Sequence, residues 1–232
     1  MNFAAGSKSR LTDKDALRFV GDSLFARIGR VVCGAGVLPR KELYESWEVA
    51  RRVHRLLRRQ PRRRVVDLAC GHGLTGALLL LLDPRLPQGV GIDRRLPPSA
   101  RALRAALTAA WPTLLPRWRL VQGDVDDFAV DANDVLVSVH ACGRLTDVVL
   151  ARATAAGAIV AVLPCCHVVD PHHRLSAWLD PALAVDVDRV QRLRDAGYDA
   201  RAALIDAAIT PKNRLLLGTP LRDRVNLLAG DP

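Results

Sequence analysis

The sequence predicts an α/β protein: a doubly wound, mostly parallel sheet behind an amino-terminal helical extension. Three observations carry this. From Arg64 onward, short apolar runs alternate with helical segments, as strands buried on both faces do. The first run meets a glycine turn, Gly71-His72-Gly73. The next two runs end in acids, Asp93 and Asp124, at the strand ends where such sheets bind ligands.

In chain order, Thr12 with Asp15 three residues on reads as a capping box,. Leu17, Val20, Leu24 and Ile28 continue at helical spacing until Gly34 and Gly36,. Pro39 opens a second helix over about 40–59, with Leu43, Trp47, Ala50, Val53 or His54, and Leu57 as its apolar line. Its other side carries Arg51, Arg52, Arg55, Arg58 and Arg59, followed by Arg62, Arg63 and Arg64. Strands follow at 65–69, 89–93, 118–122, 134–139 and 158–163, with helices at 75–82, 99–110 and 146–156 between them. The tail reads as helices at 175–183 and 187–196, then strands at 199–205 and 215–218. The chain divides into a basic helical extension (1–62), the sheet domain (63–220) and a short tail (221–232).

Composition sets limits. The 232 residues, half of them apolar, exclude a disordered or collagen-like chain,. Aromatic residues are only 4%, so alanine and leucine fill much of the core. Residues 1–64 hold 16 Lys or Arg against 6 Asp or Glu, whereas residues 65–232 hold 18 of each. The whole excess of +10 therefore precedes the first strand. Such a layer suits RNA or another acidic partner. It equally suits a solvated helix face, and the preference for arginine over lysine also fits a genome-wide bias. Arg51, Arg55 and Arg58 are the candidate phosphate contacts. Five cysteines, two of them adjacent, do not form a secreted disulfide framework. No run reads as a signal peptide or a membrane span, so a cytoplasmic protein with reduced thiols is expected.

The glycine turn suggests a nucleotide. Gly71-His72-Gly73-Leu74-Thr75-Gly76 formally matches a dinucleotide fingerprint,. Asp67 argues against a pyrophosphate there, because a carboxylate repels phosphates and attracts an ammonium. Asp93, 20 residues beyond Gly73, can accept ribose hydroxyls,. Asp124 can accept from an adenine amino group, with Val125 as an apolar neighbour. Either acid would equally serve as a helix cap.

Together Asp67, Gly71 and Gly73 resemble motif I of the class I S-adenosylmethionine (SAM)-dependent methyltransferases, with Ala69 in place of that family's first glycine. The resemblance implies a Rossmann-like sheet of seven strands, one of them antiparallel near an edge, and SAM as cofactor. It implies that Asp67, Ala69, Gly71 and Gly73 line the methionine side, that Asp93 holds the ribose, and that Asp124 and Val125 neighbour adenine. No metal is needed in that scheme.

Two further segments are His140-Ala141-Cys142-Gly143-Arg144-Leu145-Thr146-Asp147 and Pro164-Cys165-Cys166-His167. They resemble a methyltransferase subgroup that includes a domain related to the glutathione-S-transferase C-terminal-domain-containing protein. They also share features with tRNA ribose 2'-O-methyltransferases carrying Cys-Cys-His. His140, Cys142, Cys165 and His167 are the candidate catalytic residues. Proton transfer by a histidine, covalent attack by a cysteine thiolate, a zinc site and simple loop packing all remain open. Lys212, Asn213 and Arg214 are candidate substrate contacts or a solvent-facing hairpin turn. Tyr44 or Trp47 would close over the cofactor or pack their helix inward. The expected reaction is methyl transfer to RNA. The alternatives are a small molecule or protein acceptor, and a non-catalytic RNA-binding or assembly protein of the same fold.

Overall fold

A computed structural model of the chain describes residues 3–58, 60, 63–170 and 173–221. The boundary near residue 62, Arg59, Arg62, His172 and the tail beyond 221 lie outside them. The strands are β1 (Arg64–Leu68), β2 (Gly89–Asp93), β3 (Trp118–Gln122), β4 (Asp134–Val139), β5 (Ile159–Leu163), β6 (Tyr198–Leu204) and β7 (Arg214–Pro220). They form one sheet in the order β3-β2-β1-β4-β5-β7-β6. Every pairing is parallel except those of β7, which runs antiparallel to both β5 and β6. The order reverses between β1 and β4. A crevice therefore opens at their carboxyl ends, where the following loops diverge.

The helices are α1 (Leu24–Ala35), α2 (Arg40–Leu57), α3 (Leu74–Leu82), α4 (Pro98–Ala110), α5 (Arg144–Ala156) and α6 (Pro181–Asp195). Side-chain alternation along each strand feeds two cores. Val65 and Val135 join Ile28, Leu43, Val53, Leu78 and Leu103 on one face, while Val66 and Leu136 join Val149, Val160 and Leu193 on the other. The amino-terminal helices thus share a core with α3 and the sheet.

Trp118 is 1% exposed and lies under the first βα turn. A Cβ at Gly76 would come within 2.4 Å of its ring, and one at Gly89 within 3.1 Å. The third glycine of the dinucleotide-like fingerprint therefore makes room for an indole, not for a pyrophosphate.

Two element expectations are corrected. The first helical run breaks into a 3-10 turn (Asp13–Arg18) and α1. Asp15 accepts from the Thr12 backbone N–H and hydroxyl, both at 3.0 Å. Arg30 then donates to the Phe19 and Gly21 carbonyls, 2.6 and 2.8 Å. That bend turns Phe19 inward and leaves Leu17 and Val20 more than 80% exposed. In the tail, one helix, α6, replaces the expected two. The Asp180 carboxylate accepts from Ala182 and Leu183 N–H, and Pro181 takes the first turn,. Among the described residues no helix is long and apolar enough to cross a membrane.

Candidate active site

The turn after β1 meets the tips of β2 and β3. Cys70 N–H donates to the Ile92 carbonyl and Gly123 N–H to the Asp93 carbonyl, both at 3.0 Å. Asp93 accepts the Gly71 N–H at 2.8 Å and the Arg95 N–H at 3.0 Å. It thereby fixes the turn and keeps lone pairs for a ligand. A Cβ at Gly71 would meet nothing within 4 Å, so open space lies in front of this residue. Gly73 differs, because a Cβ there would come within 2.6 Å of Leu120. Ala69 adopts φ +53°, a left-handed conformation that costs a non-glycine residue about 1–2 kcal/mol.

Asp67 is 2% exposed and accepts the Gly76 N–H at 2.9 Å. The expected contact with a methionine ammonium is thus corrected in part: in this structure the carboxylate clamps the first turn of α3. Burial pushes its pKa up to about 8, against the Gly76 hydrogen bond, and Asp93 and Glu42 add to the rise. Asp124 is paired with Arg94 at 2.8 Å and Val125 is buried beside it. His72 bridges Glu42 of α2 and Ser99 of α4, each at 3.0 Å. Glu42 and Asp93 beside the turn suit a cationic sulfonium and ammonium far better than a pyrophosphate,. The open approach at Gly71 gives the ligand room. These residues fit SAM.

The second half of the crevice follows β4. His140 adopts φ +69°, and its Nε2 donates to Glu45 Oε2 at 2.7 Å. Glu45 is 0% exposed and has Lys41 Nζ at 3.0 Å from its other oxygen. Burial pushes the Glu45 carboxyl up, yet His140 and Lys41 together hold it below the usual range. The His140 side chain stays 33% exposed. Left-handed backbone at a histidine is strain of the kind that collects at working sites. Sequence reading did not give Glu45 this role. The signal was a carboxylate at 45 in line with Val49 and Val53, all three buried on α2.

The remaining motif residues shape the loop. Gly143 (φ +59°) turns the chain and its N–H donates to the Cys166 carbonyl at 3.2 Å. The Thr146 hydroxyl donates to the Ala141 carbonyl. Cys142, Cys165 and Cys166 gather between the two loops, with Cys142 Sγ 2.6 Å from Cys165 Sγ. Burial pushes the thiols of Cys142 and Cys165 up, which disfavours a free nucleophilic thiolate at either.

His167 is corrected. Its side chain is only 3% exposed and meets Asp186 at 2.8 Å. Asp186 also pairs with Arg189 and Arg214, and Arg189 with Asp147. Burial pushes Asp186 up, but His167 and Arg214 outweigh it and hold the carboxyl low. This ion network ties α5, α6 and β7 together, and the sequence reading gave none of its members that role.

The remaining candidates have other partners, although 212–214 lie on the side of the sheet where β5 ends, because Val162 pairs with Leu216. Arg214 serves that network, and Asn213 Nδ2 donates to the Ile205 carbonyl at 3.0 Å. Lys212 is exposed. Arg51 pairs with Glu48 and Arg55 Nε reaches the Arg51 carbonyl. Arg55 and Arg58 lie roughly 15–20 Å along α2 from Glu45, beside or beyond His54, whose ring faces Asp83 after α3. The expectation that these arginines flank the cleft entrance is corrected for Arg55 and Arg58, which sit toward the far end of α2. Tyr44 and Trp47 pack on Phe25 of α1, with ring centroids 5.2 and 5.0 Å away.

Comparisons with known proteins bear on the family and the fold. A family model described as a methyltransferase domain matches residues 40–169, more than half of the chain. No curated protein matches. Among solved structures, an O-methyltransferase family protein from Burkholderia thailandensis is 22% identical with a TM-score of 0.51, over 92% of this chain and 65% of that one. The S-adenosylmethionine-dependent methyltransferase SibL is 17% identical with a TM-score of 0.52, over 93% and 66%. A precorrin-6y C5,15-methyltransferase from Geobacter metallireducens is 13% identical with a TM-score of 0.50, over 75% and 88%. The chain spans about two thirds of the first two, and at these identities the likeness is one of fold. The sheet order, the acid-lined glycine turn and the family match lead to one conclusion: the chain belongs to the methyltransferase-domain family, a class I fold whose cofactor is S-adenosylmethionine.

Proposed function

We propose that the protein transfers a methyl group from SAM to an oxygen of a small molecule, with His140 as the base. The Glu45–His140 pair, 2.7 Å apart at the crevice, is the observation that carries this reading. When bound, SAM supplies an electrophilic methyl group on a sulfonium. Glu45, anchored by Lys41, holds the His140 ring by Nε2 and favours the tautomer with its proton there. Nδ1 would be left to take the proton that the acceptor hydroxyl gives up on methylation. The protein's remaining work is alignment and exclusion of water. Asp93 and the Gly71 turn would hold the ribose and methionine sides, with Ala69 and Gly73 shaping that turn and Asp124 and Val125 near adenine. Residues 63–220 would form the cofactor-carrying unit, with the preceding helices as its wall. The His-Ala-Cys-Gly and Pro-Cys-Cys-His segments support membership of the subgroup they resemble.

A small acceptor is favoured because many cations of the first 64 residues already serve the chain itself. Arg40 meets Asp15, Arg52 reaches the Leu204 carbonyl, and Arg64 holds Asp134. RNA is the second reading, supported by the +10 charge that precedes β1. Transfer of tritiated methyl from SAM into extract fractions tests the two. Label in a low-mass, nuclease- and protease-resistant fraction is expected. Label that nuclease releases would replace the first reading with the second.

A further inference from the structure

We propose that Cys142, Cys165 and Cys166 form a binding site for a soft divalent cation of the zinc class. The three come from two loops, after β4 and after β5, yet their sulfurs all lie within 4.8 Å of one another. Backbone hydrogen bonds hold the loops in this relation: His140 N–H to the Leu163 carbonyl at 3.1 Å, and Gly143 N–H to the Cys166 carbonyl at 3.2 Å. Adjacent cysteines on a strand would point to opposite faces. Cys165 and Cys166 follow the end of β5 in irregular backbone, which lets both sulfurs turn the same way, 3.7 Å apart.

Thiolates about 2.3 Å from a tetrahedral zinc lie roughly 3.8 Å from each other. The Cys165–Cys166 spacing already meets this. The Cys142–Cys165 spacing of 2.6 Å has to widen by about 1 Å, and Cys142 is exposed, so its side chain has room to turn. The nearby histidines are engaged elsewhere, His140 with Glu45 and His167 with Asp186. The cation therefore takes three thiolates, and its fourth position opens outward past Cys142 and Cys166, both exposed. Binding is an exchange of protons for metal: three S–H bonds break, three metal–sulfur bonds form, and three protons pass to solvent. No oxidant is involved.

The site stands independently of the methyl-transfer reading, and its test uses no SAM. Cobalt(II) is titrated into the reduced full-length chain without oxygen, and the near-ultraviolet thiolate-to-cobalt band is followed. One cobalt per chain is expected, displaced by equimolar zinc. The band should be lost in Cys142→Ser, Cys165→Ser and Cys166→Ser and kept in Cys33→Ser and Cys70→Ser. Absence of the band from the unaltered chain, or its survival in Cys142→Ser or Cys166→Ser, overturns the site. Alkylation of the unaltered chain covers the case of a variant that fails to fold. Zinc should shield Cys142, Cys165 and Cys166 from iodoacetamide, and unshielded thiols at these positions overturn the site as well.

Discussion

His140 and Glu45 sit 95 positions apart in the chain and 2.7 Å apart in space. If the ring takes the acceptor proton, His140→Ala lowers kcat by about 10²–10⁴-fold while SAM binding, measured by calorimetry, stays near its original strength. Glu45→Gln lowers kcat less, because the amide still holds the ring but stabilises the imidazolium poorly. Equal losses in SAM affinity and turnover would return both residues to a structural role. Asp67 makes a different prediction. Burial lifts its pKa to about 8. An acid raised on folding gives stability that is whole below its unfolded pKa, about 4, and is lost as pH climbs through the folded value. Asp67→Asn keeps an oxygen for Gly76 N–H and removes the titration. Thermal melts from about pH 4 to 9 should therefore decline less steeply in the variant. A decline as steep as that of the original chain would show that Asp67 is not the group responsible.

At the scale of elements, the strand tips were legible and the side-chain partners were not. Strands β2 and β4 fall at the residues their apolar runs indicate, because a strand buried on both faces is largely apolar, and the half-exposed edge strand β3 falls where expected too. Asp93 and Asp124 were recognisable from their place after such runs, and Asp67 from its place before the glycine turn. That Asp67 would turn under the loop, or that Arg94 would cover Asp124, depends on approach in space, which spacing does not encode. The break after Asp13–Arg18 was missed for a similar reason. Leu17 and Val20 keep helical spacing, but Arg30, far along the chain, draws the Phe19 and Gly21 carbonyls into a bend. The turn after β1 offers a test at this scale. Ala69→Gly removes the left-handed strain at φ +53°, less the extra backbone entropy of glycine. The net gain of up to about 1 kcal/mol should raise Tm by about 2–4 °C, read by calorimetry. An unchanged or lower Tm would mean that the turn relaxes without strain.

For the whole molecule, the composition foretold the basic amino-terminal layer but not its use. Many of those arginines hold carbonyls and carboxylates of the same chain, which a charge count does not reveal. If RNA is not the acceptor, replacing Arg51, Arg55 and Arg58 together by alanine leaves the salt dependence of any RNA binding nearly unchanged. Loss of three phosphate contacts would instead lower the slope of log affinity against log salt by about 2.7. A shift of that size in a filter-binding series would restore the RNA reading.

The pairing of Glu45 with His140 also has a consequence for assembly. The carboxylate leaves the ribosome long before the imidazole, and strands β1, β2, β3 and β4 intervene. A nascent chain can complete its glycine turn and the acid at the tip of β2 while the base is still unsynthesised. Chains that end before His140 should turn over nothing, whatever their affinity for SAM.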